Sequence, residues 1–393
     1  MSDKKEHRFW SQQPVSQGKK NHYVNEINKP IEPAKDPVKD IRDKPLNLPD
    51  GYEWCELDIF DKIQIEEIYS LLYNNYVEDG DSMFRFDYSI PFLQWALSPP
   101  EYKKDWHVGV RVSSTHLLIG FITGIPVNVN IYQNTILMAE INFLCVHKKL
   151  RSKRLAPVLI REITRRINRC NIWQAVYTSG VKLPGSISTC RYYHRPINPQ
   201  KLIEVGFSCL RRNVTMTMTK KLYKISDCPK TPGFRIATDA DVPQIHSLLN
   251  EYLKRFDVTI LFSEEDIKHW LISKQNVVYS YVVEDQETKQ ITDFCSFYVV
   301  PSTVLRHSVY SNILVAYAYY YASSKTDLVD LMQDALVCAK KNKIDVFNCL
   351  DIAENKQFIN KLKFEFGDGN LHYYLYNWRC PIFSSEKIGL IFL

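Results

Sequence analysis

The sequence is poor in glycine and has no long apolar segment. Only 13 of its 393 residues are glycine, which excludes collagen-like and glycine-rich low-complexity chains. The longest unbroken apolar run, Ile313 to Ala322, is about half of the roughly 20 residues that a membrane-spanning helix needs. The opening Met-Ser-Asp-Lys-Lys-Glu contains no apolar signal segment. These absences predict a soluble cytoplasmic protein without an integral membrane segment.

The sequence also lacks the usual spacings of metal ligands. Its ten cysteines form no C-x-x-C pair, and no two histidines stand four residues apart. Zinc and iron–sulfur sites depend on such spacings, so we expect no metal and no cofactor. Without a secretory signal, scattered cysteines are expected to be small buried hydrophobic residues rather than disulfides.

Apolar and aromatic residues are abundant in the sequence. Hydrophobic residues make up 45% of the chain and charged residues 24%, and there are 24 Tyr, 19 Phe and 7 Trp. This is a globular composition. At about 100 to 200 residues per domain, the length allows two or three domains with a sizeable core.

The positive charge is concentrated in one segment. Nine basic residues and one acidic residue lie between Lys148 and Arg169, which leaves 41 basic against 43 acidic residues elsewhere. A charge confined in this way predicts one localised anionic partner and argues against a general nucleic-acid or membrane surface.

The order of predicted elements divides the chain into an arm and two similar modules. Residues 1–50 contain six prolines and no apolar periodicity, which predicts an extended arm. Residues 51–220 and 221–393 then repeat one order of helix, three strands, helix and strand. The strands are predicted at Val108–Val112, Leu117–Ile125, Leu137–Val146 and Trp173–Thr178, and then at Val277–Val283, Ile291–Val300, Asn312–Tyr321 and Ile344–Leu350; the helices carry Ile63 to Leu72, Leu155 to Ile167, Asp241 to Tyr252 and Leu328 to Ala339.

The two modules differ in the loop before their second helix. The first has the basic loop Lys148 to Arg154, whereas the second has Ser323 to Asp327. A helix N-terminus offers free N–H groups and partial positive charge, so only the first module is expected to hold a pyrophosphate. A nuclear-import-like basic run and a solvated helix face are the alternatives.

Specific motifs surround this loop. Glu140-Ile-Asn-Phe-Leu-Cys-Val-His-Lys148 precedes it, and Lys363-Phe-Glu-Phe-Gly-Asp-Gly369 lies near the C-terminus. Both resemble the signatures of the N-myristoyltransferases, and the resemblance runs from His7-Arg8-Phe9-Trp10 to the last residue. It implies an α/β (α+β) fold in which two pseudo-symmetric acyl-CoA N-acyltransferase-like halves form a mixed, continuous β-sheet flanked by helices. It also implies a monomeric enzyme that moves a myristoyl group from myristoyl-CoA to the N-terminal glycine of peptides and nascent proteins.

The resemblance assigns myristoyl-CoA to the first half and peptide to the second. Backbone N–H groups of Phe143 and Leu144 would form the oxyanion hole. The residues implied in myristoyl-CoA binding are His7, Arg8, Phe9, Trp10, Phe143, Leu144, Cys145, Val146, Ser152, Lys153, Arg154, Leu155 and Ala156. Those implied in peptide binding are Phe84, Phe86, Asn142, Thr178, Tyr192, His194, Ser302, Asn348 and Asp368. Apart from the resemblance, the aromatic residues could be core residues, His194 a satisfied buried histidine and Asp368 a turn residue.

The chain end is a further candidate. Ile388-Gly-Leu-Ile-Phe-Leu393 is apolar where most chain ends are polar, so we expect the Leu393 carboxylate to be buried, which makes a carboxylate a better base. The attacking glycine amine has a free pKa of about 8 and must lose a proton. A hydrophobic tail that only fills the core is the alternative; the resemblance implies that the carboxylate is the catalytic base.

One position departs from the family pattern, and two other functions remain possible. Glu365 stands where the second signature has glycine, which predicts ordinary strand and a carboxylate that could alter which basic peptides bind. An acetyl-CoA-dependent acetyltransferase would share the oxyanion strand and phosphate loop but need no long acyl pocket. A nucleic-acid or phosphoinositide binder would use the basic segment, and its binding would be sensitive to salt.

Overall fold

The structure is a computed structural model and describes residues 8–16, 28–77 and 83–393. His7 therefore lies outside the described residues. The elements of the first half are β1 (Tyr52–Glu56), α1 (Lys62–Asn75), β2 (Phe84–Phe86), α2 (Ile90–Leu97), β3 (His107–Val112), β4 (Leu118–Ile131), β5 (Asn134–Val146), α3 (Leu155–Arg169), β6 (Ala175–Ser179), β7 (Ser186–Pro196), α4 (Pro199–Glu204) and α5 (Met216–Leu222).

The second half follows the same order with more short strands. Its elements are β8 (Phe234–Ile236), α6 (Val242–Leu253), β9 (Val258–Ile260), α7 (Glu264–Leu271), β10 (Val278–Glu284), β11 (Ile291–Val299), β12 (Ser302–Val304), β13 (Asn312–Ile313), β14 (Val315–Ser323), α8 (Leu328–Lys341), β15 (Val346–Leu350), α9 (Lys356–Ile359), β16 (Glu365–Tyr376) and β17 (Ile388–Gly389).

One large mixed sheet organises both halves. Its strands run in the order β1-β3-β4-β5-β6-β16-β7-β15-β14-β11-β10-β8, and β9 joins β17 to β4. A small sheet of β13, β12 and β2 lies beside it. The prediction of a continuous mixed sheet flanked by helices is confirmed.

The halves exchange strands where they meet. Each half has a parallel pair at the corresponding place, β5 with β6 and β14 with β15. The second half's β16 then pairs with β6 and β7, and the first half's β7 pairs with β15. The pseudo-symmetry axis therefore passes through the β7–β16 pair, and each half completes its sheet with a strand of the other.

Local chemistry explains why the flanking helices form. The Asp61 side chain accepts two backbone N–H groups at the start of α1, and the Asp327 side chain accepts the Val329 N–H at the start of α8. Leu159, Ile163 and Ile167 form the buried face of α3, and α8 is buried along most of its length. Burial of these apolar faces, rather than helix propensity alone, fixes the helices on the sheet.

Three details differ from the sequence predictions. Ile63 was assigned to the apolar face of α1 but is 72% exposed, because it lies in the first turn beside the cap. The predicted strand Asn312–Tyr321 is divided into β13 and β14. Cys170, Cys209 and Cys228 are exposed and Cys55 is partly exposed, so burial holds for the other six cysteines only.

The described parts of the arm lie against the body of the protein. The Trp54 indole N–H donates to the Leu46 carbonyl, and the buried Glu162 carboxylate of α3 accepts the Leu46 N–H. Nearer the N-terminus, Lys29 pairs with Arg379 in an isolated antiparallel bridge. Arm and body are thus joined by backbone as well as side-chain hydrogen bonds.

Candidate active site

A cavity of about 630 Å³ opens at the junction of the two halves. Twelve of the residues implied in catalysis or binding line it, namely Trp10, Phe84, Phe86, Asn142, Phe143, Leu144, Thr178, Tyr192, His194, Ser302, Asn348 and Leu393. They come from the arm, from both sheets and from the last residue. Because such distant segments meet in one space, this cavity is the candidate active site.

A bulge interrupts β5 at the wall of this cavity. The pairing with β4 jumps from Asn142 opposite Thr123 to Cys145 opposite Phe121. Phe143 has a left-handed backbone with φ of 52°, a conformation that is costly for a bulky residue. The Phe143 N–H leaves the ladder and donates to Asn142 Oδ1 over 2.9 Å. The strand therefore turns backbone donors away from sheet pairing at the cavity.

The last residues are fixed by hydroxyl and amide groups. The Tyr373 hydroxyl donates to the Leu390 carbonyl over 3.0 Å, and the Tyr298 hydroxyl donates to the Phe392 carbonyl over 3.2 Å. The Ile391 N–H donates to the Tyr320 hydroxyl. Phe392 is buried and Leu393 is partly exposed to the cavity. The tail is therefore held at a defined place instead of fraying.

Asn142 joins the bulge to the tail. Its amide Nδ2 donates to the Leu393 oxygen over 3.2 Å, while its Oδ1 accepts the Phe143 N–H. One side chain thus sets the distance between the strand that carries the candidate oxyanion donors and the end of the chain.

The basic loop forms a single 3₁₀ segment, Lys148–Lys153, before α3. Arg154 is left-handed, and no side chain caps the helix. The loop is tied to the end of α1, because Asn75 accepts the Lys148 N–H on its side chain and Arg151 on its backbone carbonyl. Ser152, Lys153 and Arg154 are exposed, and Leu155 and Ala156 open the helix. Uncapped N–H groups and exposed cations are the features that favour binding of an anion.

The corresponding place in the second half is occupied by the protein's own carboxylate. Asp293, opposite the end of β14, accepts the N–H groups of Ser324, Lys325 and Thr326 over 2.7 to 3.0 Å. It is fully buried and also accepts the Thr326 hydroxyl. In the first half Gly120 holds the equivalent place, opposite the end of β5. In the second half the N–H groups of this loop are therefore satisfied from within the protein.

The far side of the cavity carries the candidate peptide residues. His194 Nδ1 lies 2.7 Å from Asn348 Oδ1, and because an amide oxygen only accepts, Nδ1 donates. Burial lowers the pKa of His194, which favours the neutral ring. Gly367 passes so close that a Cβ there would lie 2.4 Å from His194 Nε2. Asp368 is exposed and does not line the cavity.

Other implied residues lie around the cavity rather than in its wall. Arg161 stacks over the Phe9 ring at 5.7 Å, and Arg8 beside it is exposed. Cys145 and Val146 are buried, and burial raises the pKa of the Cys145 thiol to about 12. These two side chains therefore belong to the core.

Two family models match the chain. The N-terminal domain of myristoyl-CoA:protein N-myristoyltransferase matches residues 30–190, and the C-terminal domain matches residues 204–390. The chain belongs to the N-myristoyltransferase family.

Individual relatives agree over nearly the whole length. The chain is 50% identical to glycylpeptide N-tetradecanoyltransferase 1 of Arabidopsis thaliana, covering 100% of this chain and 91% of that protein. It is 51% identical to the glycylpeptide N-tetradecanoyltransferase of Drosophila melanogaster, covering 99% and 81%. A crystal structure of Saccharomyces cerevisiae N-myristoyltransferase with bound myristoyl-CoA superposes with a TM-score of 0.94 at 41% identity, covering 99% of this chain and 100% of that one. The prediction of an acyltransferase of the N-myristoyltransferase family is confirmed.

The sequence reasoning missed a set of aromatic and aliphatic residues in this N-myristoyltransferase cavity. They include Tyr76, Tyr88, Tyr177, Tyr298, Tyr317, Phe207, Ile160 and Ile163. The abundance of tyrosine was visible in the composition, but the residues come from seven separate segments. Their meeting depends on the strand exchange, which no local pattern signals.

The Glu365 carboxylate has hydrogen-bond partners within the protein. Its carboxylate accepts a hydrogen bond from the Arg211 guanidinium and another from the Tyr223 hydroxyl. It opens β16, in agreement with the ordinary strand predicted there. The added negative charge is therefore balanced within the protein rather than presented to the cavity.

In the part of the chain that the structure describes, no group of three or more His, Cys, Asp or Glu side chains could hold a metal ion. Nor is any helix of those residues long and apolar enough to cross a membrane.

Proposed function

We propose that this protein transfers the myristoyl group of myristoyl-CoA to the α-amino group of an N-terminal glycine. The observation that carries the proposal is the meeting of the β5 bulge, the chain end and an anion loop around one cavity in a chain of this family. The amine nitrogen attacks the thioester carbonyl carbon, the amide C–N bond forms, the C–S bond breaks and CoA leaves as the thiol.

In this proposal the first half, residues 51–220, binds myristoyl-CoA and the second half, residues 221–393, binds peptide, while the arm closes over CoA. Ser152, Lys153, Arg154, Leu155 and Ala156 hold the phosphates, and Arg8, Phe9 and Trp10 cover the adenine end, as His7 would. The internal Asp293 carboxylate supports one acyl-CoA site per chain, because it fills the equivalent loop.

The acyl chain enters the apolar end of the cavity. Ile122, Ile160, Ile163 and Ile167 line this end together with Phe143. Burial of a dozen methylenes at about 0.8 kcal/mol each is on the order of 10 kcal/mol before the costs of binding. This supports a long acyl chain over acetyl, and hence N-myristoyl transfer over the acetyltransferase alternative.

The chemistry needs an oxyanion hole and a base. We assign the first to the backbone N–H groups of Phe143 and Leu144, since backbone donors stabilise the charge that develops on the carbonyl oxygen. The Phe143 N–H, which donates to Asn142 Oδ1, would exchange that acceptor for the carbonyl oxygen of the bound thioester. The base is the α-carboxylate of Leu393, oriented by Asn142. Thr178 and Asn142 lie beside the incoming amine, and the peptide runs along Phe84, Phe86, Tyr192, His194, Ser302 and Asn348 toward Asp368.

Mass spectrometry of a Gly-x-x-x-Ser peptide incubated with the protein and acyl-CoAs of several lengths tests the proposal. We expect one myristoyl group on the N-terminus, little transfer from acetyl-CoA, and none to a matched peptide that begins with Ala. Equal transfer of acetyl would favour the acetyltransferase. We further propose that the enzyme acts as a cytoplasmic monomer, which size-exclusion chromatography with light scattering tests for the oligomeric state.

A further inference from the structure

A second cavity of about 190 Å³ lies on the other side of the C-terminal tail. Leu393 lines both this cavity and the large one. At its other end the second cavity reaches the exposed residues Asn128, Ser263 and Glu265. The tail therefore separates the candidate active site from a space that leads to solvent.

Glu140 lines this second cavity and is 8% exposed. Its carboxyl group has no hydrogen bond or ion pair with any residue that the structure describes, and no Lys, Arg or His is among the described residues that line the cavity. A buried carboxyl without a counter-ion is costly in its charged form. Burial raises the pKa of Glu140 to about 8.

Glu140 stands beside the catalytic elements. It lies two residues before Asn142 on β5, and alternate residues of a strand share a face. Asn142 faces the large cavity and contacts Leu393, whereas Glu140 faces the small one. The two side chains of one strand face thus flank the terminal residue from its two sides.

The proposed reaction produces a proton that must leave the active site. An ammonium and a thioester yield an amide, a thiol and one proton, so each turnover releases a proton inside a site that both substrates cover. A terminal carboxylate that has taken this proton must lose it before the next turnover. The second cavity has room for several waters at roughly 30 Å³ each.

We propose that the second cavity is the exit route for this proton and that Glu140 relays it from the Leu393 carboxylate to water. The inference rests on the proposed function, in which that carboxylate is the base. In this proposal Glu140 contacts no substrate. It returns the Leu393 carboxylate to its deprotonated form after each turnover.

The surroundings suit a relay. The ionisable groups that face Glu140 are Tyr319 and Tyr320 of β14, Tyr373 of β16, Glu265 and Asp266 of α7, Glu101, and the terminal carboxylate. Burial raises the pKa values of the three tyrosines, and the Glu140 carboxylate raises them further. The three tyrosines therefore stay protonated near neutral pH, and Glu140 rather than a tyrosine exchanges the proton.

Rapid-quench kinetics of Glu140→Gln test the relay. Glutamine keeps the size of the side chain but carries no exchangeable acid proton. The first turnover should proceed at the normal rate, because the Leu393 carboxylate is intact. Steady-state turnover should fall by at least about 10-fold, within the range of lost proton transfer, with KM for peptide and affinity for myristoyl-CoA unchanged. Added imidazole should restore part of the rate, and Glu140→Asp should lose less than Glu140→Gln.

Two controls separate the possible failures. Glu287→Gln removes an exposed carboxylate that lines neither cavity and should leave all rates unchanged. Deletion of Leu393 should abolish the fast first turnover, and if it does not, the proposed base is wrong. If Glu140→Gln turns over normally in the steady state, or if its first turnover falls equally and imidazole has no effect, the relay is refuted.

Discussion

The amide nitrogen of Asn142 donates a hydrogen bond to the Leu393 oxygen over 3.2 Å, across 251 positions of sequence. A carboxylate that must act as a base needs a fixed direction, and this contact provides it. Replacement by Ala should therefore lower kcat by about 10-fold to 100-fold, as expected for a misplaced general base. Affinity for myristoyl-CoA, measured by calorimetry, should not change. A normal kcat in Asn142→Ala would show that the contact does not orient the base.

Deletion of Leu393 tests the base itself. Turnover should fall by about 100-fold or more, because a positioned general base contributes that much, while myristoyl-CoA binds almost normally. Leu393→Ala is the matched control, since it shortens the side chain but keeps a carboxylate at the same position. Equal losses in both variants would mean that the leucine side chain matters and the carboxylate does not.

Substitution of Trp10 tests whether the arm contributes to myristoyl-CoA binding. Its indole stacks on Tyr177 with ring centroids 5.5 Å apart, and Tyr177 in turn stacks on Tyr374. Trp10→Ala should weaken myristoyl-CoA binding by about 10-fold, since a buried aromatic contact contributes on the order of 1 kcal/mol or more. Calorimetry measures the change, and Val38→Ala, at an arm position that is 84% exposed, should bind normally. Unchanged binding would indicate that Trp10 only packs on the body.

Asp293 should be important for stability rather than catalysis. Its carboxylate satisfies three backbone N–H groups, and hydrogen bonds to a charged group contribute about 1.5 to 3 kcal/mol. Asp293→Asn should lower the free energy of unfolding by at least about that much in denaturant titrations, with one myristoyl-CoA still bound per chain. The exposed Asp330→Asn, in the first turn of α8, should cost less than about 1 kcal/mol. An Asp293→Asn protein as stable as the parent would contradict this role.

Glu140 should make stability depend on pH. Its pKa is raised to about 8 from 4.5 by burial, so the folded protein holds a proton that the unfolded chain has lost. The stabilisation is complete at pH values below 4.5 and is lost as pH rises to about 8. Glu140→Gln should therefore match the parent at about pH 5 or below and exceed it by a few kcal/mol at about pH 9, since one pKa unit is about 1.4 kcal/mol. Urea titrations at both pH values measure this, and a constant difference would contradict it.

The elements that the sequence predicts best are those with local patterns. The amphipathic stripe of α3 and the basic loop before it could be predicted because both lie within about twenty consecutive residues. The signature around Asn142 likewise places the candidate oxyanion strand. In contrast, the sequence patterns predict no strand at β7, and within β16 they predict strand only at Glu365 in the second signature. Their pairing across the two halves is set by long-range packing, and so is the ring of tyrosines in the cavity.

Glu140 and Asp293 show a second limit. A glutamate and an aspartate within strands suggest solvent-facing residues, since charged side chains are seldom fully buried. Their roles depend on what the fold places around them: a cavity behind the tail for Glu140, and a loop of three N–H groups for Asp293. Such surroundings are properties of the tertiary structure and cannot be obtained from composition or spacing.

The exchange of β7 and β16 makes the protein a natural candidate for fragment complementation. A cut in the linker between α5 and β8 would give one fragment that ends beyond β7 and another that carries β16. In the first fragment β7 would lack both of its neighbours, β15 and β16, and in the second fragment β16 would lack β6 and β7. Each fragment would therefore expose unpaired strand edges. Reassembly would close both edges at once. If each fragment were fused to one of two interacting proteins, recovered activity would report that those proteins had met. The β7–β16 pair is therefore a suitable place to build a split reporter.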